Sequence, residues 1–309
     1  MDGESPIRRV RLKRLGVAAA LAAVAIAAAI GLVVVMGVFH EKTVASDVAD
    51  VDEPVPDHAP GYLDVRVKIV ALDLNQETVG LQLECVPKGR YLVDDAGQLK
   101  RRLVLTAGVS ASGMEKTMTL LPGAKGGVTA VDLDLDGNVE DYPWDRHTTS
   151  LWLSAAAYRK GRLTDAEITP IRLQAYGAWP GLGVNLSAAA DAGGGARQLD
   201  LAVIRSTVTT IVVYFSIVLT WILIASVVGM TFAVAIRGRR VEIRMIAFFG
   251  MLLFAMTAFR NSLPGAPPMG TFSDYLAFFW GYAVAIIGIG VVAGLWLWRP
   301  PSEDARAPK

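Results

Sequence analysis

The sequence predicts a membrane protein of the α+β class: four transmembrane helices, one N-terminal and three C-terminal, with an extracytoplasmic antiparallel β-sandwich between them. Three observations predict it. Hydrophobic residues make up 53% of the 309-residue chain, above the ordinary soluble fraction. Much of that content is gathered into long runs without a charge at either end of the chain. In the middle the apolar residues alternate with polar ones instead, the period of a half-buried strand.

Residues 1–14 form a basic N-terminus with Arg8, Arg9, Arg11, Lys13 and Arg14. Residues 15–39 are the anchor, since Gly16–Phe39 carries no charge and a bilayer core needs roughly 20 helical residues. Basic residues ahead of a first span place the N-terminus in the cytoplasm. A signal peptide cleaved near Ala45–Ser46 is the other reading, but the apolar run outlasts a signal core of about 7–15 residues. Residues 40–61, "EKTVASDVADVDEPVPDHAPG" after His40, are acidic, proline-bearing and aperiodic, hence an extracytoplasmic linker.

Residues 62–205 are the β-domain. "YLDVRVKI", "TVGLQLEC", "RRLVLTAG", "KTMTLL", "VTAVDLDL", "TTSLWL" and "TPIRLQAY" read as strands, separated by "DDAGQ", "PGAKGG", "LDGN" and "RKGR". A hairpin with a glycine tip, "VNLSAAADAGGGARQLDLAVI", then leads straight into the next apolar run. The only cysteine, Cys85, sits in strand alternation, so it is read as a buried thiol and no intramolecular disulfide exists.

Residues 206–298 are a three-helix bundle built on Ser206–Ile236, the shorter Met245–Phe259 and Leu276–Trp298. Met245–Phe259 crosses only by drawing in its flanks and the stems of Arg244 and Arg260. Arg237, Arg239, Arg240 and Arg244 put the first connection inside, and residues 299–309 form a cytoplasmic tail after Arg299. Tyr275, Phe278, Phe279 and Trp280 read as an outer aromatic belt, Trp296 and Trp298 as an inner one. Thr220, Ser226, Thr231 and Thr257 are expected to bond their own helix backbones. Gly281 with Ala285, and Gly290 with Gly294, are spaced for close helix packing or self-association. No charge lies mid-span, which disfavours a pump or secondary transporter.

With this topology residues 40–205 hold a net charge of −6 and the remainder +7. The basic residues gather at helix ends, so the lipid bilayer and not a nucleic acid is the partner they imply. Localisation is a plasma (inner) membrane with both termini cytoplasmic.

Three motifs were candidates for chemistry. Asp132, Asp134 and Asp136 with Gly137 match the start of a calcium loop, but Pro143 stands where the bidentate Glu belongs; a strand ending in an Asp-Gly turn is the preferred reading. Tyr142, Pro143, Trp144 and Asp145 read as a structural corner, with Trp144 as its buried ring and Asp145 closing an Asx-turn. Asp145 and His147 with Thr148 or Ser150 suggest a hydrolase on paper, but strand parity and the absence of a nucleophile elbow argue against it. The loop "RNSLPGAPPMGTFSD" is stiffened by Pro264, Pro267 and Pro268 and bracketed by Arg260 and Asp274, which are suited to pair. It is expected to dock on the β-domain at residues 142–147 and couple it to the bundle. No cofactor and no metal site is expected; His40 and His58 lack zinc spacing.

The anchor, the β-domain with "YPWDR", the three later helices and "FRNSLPGAPPMGTFSDYLAFFW" resemble the domain-of-unknown-function 4436 family of integral membrane proteins. The resemblance spans about residues 60–298 and implies no catalytic residues. The Tyr142–Asp145 turn is also similar to one in the extracellular domains of pentameric ligand-gated channels, whose four helices all follow the domain. The expected function is therefore a non-enzymatic scaffold or interaction protein of the cell envelope. The alternatives are a ligand- or calcium-sensing membrane module and a channel-like oligomer.

Overall fold

A computed structural model describes residues 49–298 apart from 56–59, 94–96, 110–114, 159–165, 190–195 and 238–240. Residues 15–39, read as an anchor, and 299–309, read as a tail, lie outside the described residues.

Every stretch with period-two alternation is a strand. In chain order these are β1 (Ala49–Asp52), β2 (Gly61–Asp73), β3 (Thr78–Gly89), β4 (Arg102–Val109), β5 (Glu115–Leu120) and β6 (Gly127–Asp134). Next come β7 (Arg146–Tyr158), β8 (Ala166–Ile168), β9 (Ile171–Gly177), β10 (Leu182–Ala189) and β11 (Arg197–Arg205). They make two sheets, one ordered β1-β9-β2-β3-β6 and the other β10-β11-β7-β4-β5 with β8 on β7. Leu63, Val65, Leu81, Leu83 and Leu133 of the first sheet share one hydrophobic core with Leu103, Leu105, Leu151, Leu153, Leu199 and Leu201 of the second.

Three features depart from the expected strand pattern. β1 arises within the stretch read as linker, where Val51 packs on the core and Glu53 N–H donates to Leu173 O at 3.0 Å. Four residues are too few to carry a period. β8 adds a short edge to β7. The β2–β9 pair is parallel, Leu63 opposite Ile171, so the first sheet is mixed; parallel pairing needs a long crossover, which local alternation cannot reveal.

Glycines shape the sheets where a side chain would collide. A Cβ on Gly108 would lie 2.2 Å from the Trp152 ring, so the indole lies flat across the strand only because position 108 is bare.

The three apolar runs among the described residues are helices: α1 (Thr207–Ala235), α2 (Ile243–Asn261) and α3 (Phe279–Trp298), the last preceded by a π-helical turn over Asp274–Phe278. All three helical spans are long and apolar enough to cross a membrane. At 19 residues α2 reaches about 28 Å, enough to cross because it extends from Ile243 to Asn261. Gly281 packs against Met256 and Thr220, and Gly288 against Val227 and Phe249, so two bare positions set the distance of α3 from its neighbours. A Cβ on Gly290 or Gly294 would meet nothing within 4 Å among the described residues. Thr220, Ser226 and Thr257 bond carbonyls one turn back; Thr231 Oγ1, expected to do the same, has no hydrogen-bond partner among the described residues.

Cys85 is fully buried on β3. Burial, with a smaller push from the charge of Glu84, raises its thiol to about 12. A maleimide reagent is expected to leave Cys85 unlabelled in the folded protein and to label it after denaturation, read by intact mass; rapid labelling of the native protein would contradict this packing.

Candidate functional site

The residues with unusual chemistry meet where the β-domain joins the helices. Register builds the first part. β7 and β11 pair antiparallel with Arg146 opposite Ile204, so the next positions outward, Asp145 and Arg205, face one another. Arg205 Nε donates to Asp145 Oδ1 at 3.1 Å and Oδ2 at 3.0 Å. Its Nη2 lies 2.9 Å from Oδ2, an ion-pair distance off the hydrogen-bond direction. His147, two residues along the strand and on the same face, places Nε2 3.1 Å from Asp145 Oδ2. All three residues are buried. A Cβ on Gly137 would lie 2.3 Å from His147 Nδ1, so that glycine gives the imidazole its seat.

Burial works to raise the Asp145 carboxyl, but hydrogen bonds from His147 and Arg205, with the Arg205 charge, outweigh it and hold the group below the usual carboxylate range. The expected Asx-turn is replaced by this ion pair. Local spacing suggests bonds to nearby amides; the actual partner stands 60 residues downstream.

The corner itself begins with Asn138, whose side chain accepts from Glu140 N at 3.0 Å and opens a 3-10 turn over Val139–Asp141. A cis peptide joins Tyr142 to Pro143. Tyr142, not Trp144, is the buried ring. It packs with Val213, Ile217, Leu263, Ala277 and Phe278, and Arg205 Cζ lies 4.9 Å above it. Trp144 is 44% exposed and meets Tyr214 and Phe272 edge-on at 5.5 and 5.6 Å. Trp144 thus stands among exposed aromatic side chains of α1 and the proline loop instead of in the core.

The proline loop completes the seam. Tyr142 Oη donates to Pro264 O at 2.8 Å, and Asn75 Nδ2 donates to Gly265 O and Ala266 O at 3.2 Å. Arg260 and Asp274 pair as their bracketing positions suggest: Nε to Oδ1 at 3.0 Å and Nη2 to Oδ2 at 2.9 Å. Arg260 Nη2 also donates to Pro268 O at 2.5 Å, tying the loop's middle to its start. Asp274 Oδ2 accepts from Gly270 N and Thr271 N at 2.9 and 3.3 Å, the reach-back half of a capping box. Pro267 is buried and Pro268 exposed. Phe278, read from the sequence as part of the outer belt, instead faces the protein; Tyr275, Phe279 and Trp280 are exposed.

The start of α1 is held too. Ser206 N and Thr209 Oγ1 both donate to Gly181 O at 3.1 Å, and Ser206 Oγ caps the helix at Thr209 N.

Asp145 and His147 come together, but Thr148 is exposed on the other strand face and Ser150 Oγ donates to Asp200 Oδ1 at 2.6 Å. Neither hydroxyl stands beside the imidazole. Asp132 and Asp134 lie exposed on an extended strand, and Asp136 bridges Thr148 through its backbone. Among the described residues no group of three His, Cys, Asp or Glu is placed to hold a metal ion. An extended strand spreads alternate carboxylates by about 6.6 Å, so they do not converge as calcium requires. The sequence reading missed Arg205, which it took only as the domain's last residue; an arginine directly ahead of a charge-free span is the signal that marks it.

Two expected outcomes follow from the seam. Tyr142→Phe removes the bond to Pro264 O and is expected to cost about 1 kcal/mol in denaturant unfolding of the solubilised protein. Because the folded Asp145 value is depressed, its contribution is complete above about pH 3.9 and is lost as pH falls through the lower folded value. Asp145→Asn is expected to destabilise the neutral-pH protein and flatten that acid limb, read as melting temperature against pH; a parallel limb in the variant would contradict the assignment.

A family model described as Domain of unknown function (DUF4436) matches residues 53–204. A second, Domain of unknown function (DUF8686), matches residues 205–299 and holds the proline loop and the three helices. No curated protein matches the chain. The two matches meet between Ile204 and Arg205, at the residue that ties strand to helix. Over its β-domain the chain matches the DUF4436 family of domains of unknown function, and over its helical region it matches DUF8686.

Proposed function

We propose that this is a multi-pass plasma-membrane protein that holds a β-sandwich against the outer face of the bilayer and acts by contact, as a scaffold or interaction protein of the cell envelope. The observation that carries this reading is the seam. Tyr142 and Asn75 bond the proline loop, Arg205 joins β11 to α1 while gripping Asp145, and Arg260–Asp274 locks the loop. Such bonding suits a domain displayed at a set height and angle, where partners outside the cell meet it.

The orientation has both termini in the cytoplasm and residues 40–205 outside. Basic residues between α1 and α2 support it, as does the ring of Trp144, Tyr214, Phe272, Tyr275 and Trp280 at the opposite end of the bundle. The shared core of the two sheets supports the sandwich. The open Gly290–Gly294 face of α3 offers a route to self-association, and the bond of Ser150 Oγ to Asp200, with Thr148 on the outer strand face, supports a non-enzymatic role.

A reporter inserted near Gly126 is expected to be reached by membrane-impermeant reagents from outside intact cells; reaction only after lysis would overturn the orientation. Photo-crosslinkers placed at exposed positions such as Val128 are expected to capture envelope proteins in discrete bands. A hydrolytic activity in the purified protein that Asp145→Asn abolishes without unfolding would overturn the contact reading.

A further inference from the structure

The outward face of the second sheet carries a polar hollow of about 450 Å³ that the seam does not use. Register builds it. Asp200 on β11 stands between Ser150 on β7 and Ser187 on β10, and Ala202 stands between Thr148 and Asn185. The short Ala202 side chain leaves the floor low between two longer ones. Asp200 Oδ1 accepts from Ser150 Oγ at 2.6 Å and from Gln198 Nε2 at 2.8 Å. Among the described residues Asp200 Oδ2 and the side chains of Thr148, Asn185 and Ser187 make no hydrogen bond, and the last three residues are exposed. Aspartate and asparagine are poor strand residues, so their presence in a paired ladder favours a role beyond folding.

An aromatic plate adjoins the hollow. Trp152 follows Ser150 on the same face of β7, opposite Gln198 on β11 and Gly108 on β4. A Cβ on Gly108 would lie 2.2, 2.3 and 2.4 Å from three atoms of the indole, so one ring face rests on bare backbone. The side chain is only half-buried there.

Charge narrows the occupant. Among the described residues that border the hollow there is no Lys or Arg, and Asp200 is the one carboxylate. Nucleic acids and phosphates call for cations, so this face does not suit them. The indole offers a flat apolar surface, and the hydroxyl, amide and carboxylate groups beside it offer donors and acceptors without partners. A pyranose ring matches both, with C–H groups on one face and hydroxyls round its edge.

We propose that this face binds a neutral glycan chain, one sugar ring stacked on Trp152 and the next over the hollow, hydrogen-bonded by Asp200 Oδ2, Asn185 and Gln198. This names a partner class for the contact function. An extracytoplasmic source for the glycan rests on that reading; the saccharide chemistry does not.

The full chain is purified in a detergent without a sugar headgroup and titrated with cellotetraose, chitotetraose and maltotetraose as neutral probes. Binding is read by saturation-transfer NMR and isothermal titration, and at least one probe is expected to bind. Trp152→Ala is expected to weaken it about tenfold, the loss of one stacked ring. Asn185→Ala, which removes an exposed side chain with no bond in the fold, is expected to weaken it about fivefold. If Trp152→Ala does not fold, Asn185→Ala decides. Tetragalacturonic acid, whose carboxylates would face Asp200, is expected not to bind. The proposal is overturned if none of the neutral probes binds, if the variants bind as wild type does, or if tetragalacturonic acid binds more tightly than they do. Disulfide-linked dimers of Asn185→Cys, in place of saccharide binding, would assign the face to a second copy of the chain and overturn it too. Binding by the purified chain, with the Gly126 reporter reached only after lysis, would keep the site and overturn its extracytoplasmic source.

Discussion

A carboxylate cannot be buried at a domain boundary without a counter-charge, and much of this structure follows from how Asp145 acquires one. The counter-charge is Arg205, the last residue of a strand, with a membrane-length helix starting two residues later. For the two groups to meet, β7 and β11 must hold their register to the end and the chain must turn sharply before Asp145. The 3-10 turn and the Tyr142–Pro143 corner provide that turn. The same ion pair orients His147 and leaves the guanidinium stacked on Tyr142. One electrostatic requirement thus fixes the end of the β-domain, the start of α1 and the ring around which loop and bundle pack.

The second ion pair does for the loop what the first does for the domain. Arg260 ends α2 and Asp274 opens the turn before α3; each is nearly inaccessible, and together they close a proline-rich segment. Leu263 and Phe278 are thereby presented to Tyr142, so a small apolar cluster forms from corner, loop, α1 and the turn before α3. Breaking either pair strands a charge, which makes the seam stiffer than its small apolar contact alone would. Outside this cluster the aromatic side chains divide by environment: Tyr142 inward with its hydroxyl satisfied, Trp144 outward among Tyr214 and Phe272.

Much of this was legible in the sequence because it is periodic or compositional. Alternation located the long strands, and charge-free runs located α1, α2 and α3. The bracketing charges of the proline loop announced their own pairing. What was not legible depends on contacts distant along the chain. Asp145 sits in a stretch whose local chemistry suggests an Asx-turn, and nothing nearby names Arg205 as its partner. Trp144 and Tyr142 are both aromatic and one residue apart from Pro143, so position alone does not decide which enters the core. β1 is too short for a pattern, and the parallel β2–β9 pair depends on a crossover through most of the domain. Thr231 shows that a helical hydroxyl need not take its backbone bond.

The bonds from Tyr142 and Asn75 to the proline loop, flanked on either side by a buried charge pair, are expected to hold domain and bundle as one unit. Distances between spin labels measured by electron–electron double resonance test it most directly, with one label at the exposed Val128 on β6 and another at the exposed Met269 in the proline loop. In reconstituted membranes a single narrow distance distribution is predicted. A broad or multi-peaked distribution in the folded protein would contradict the account.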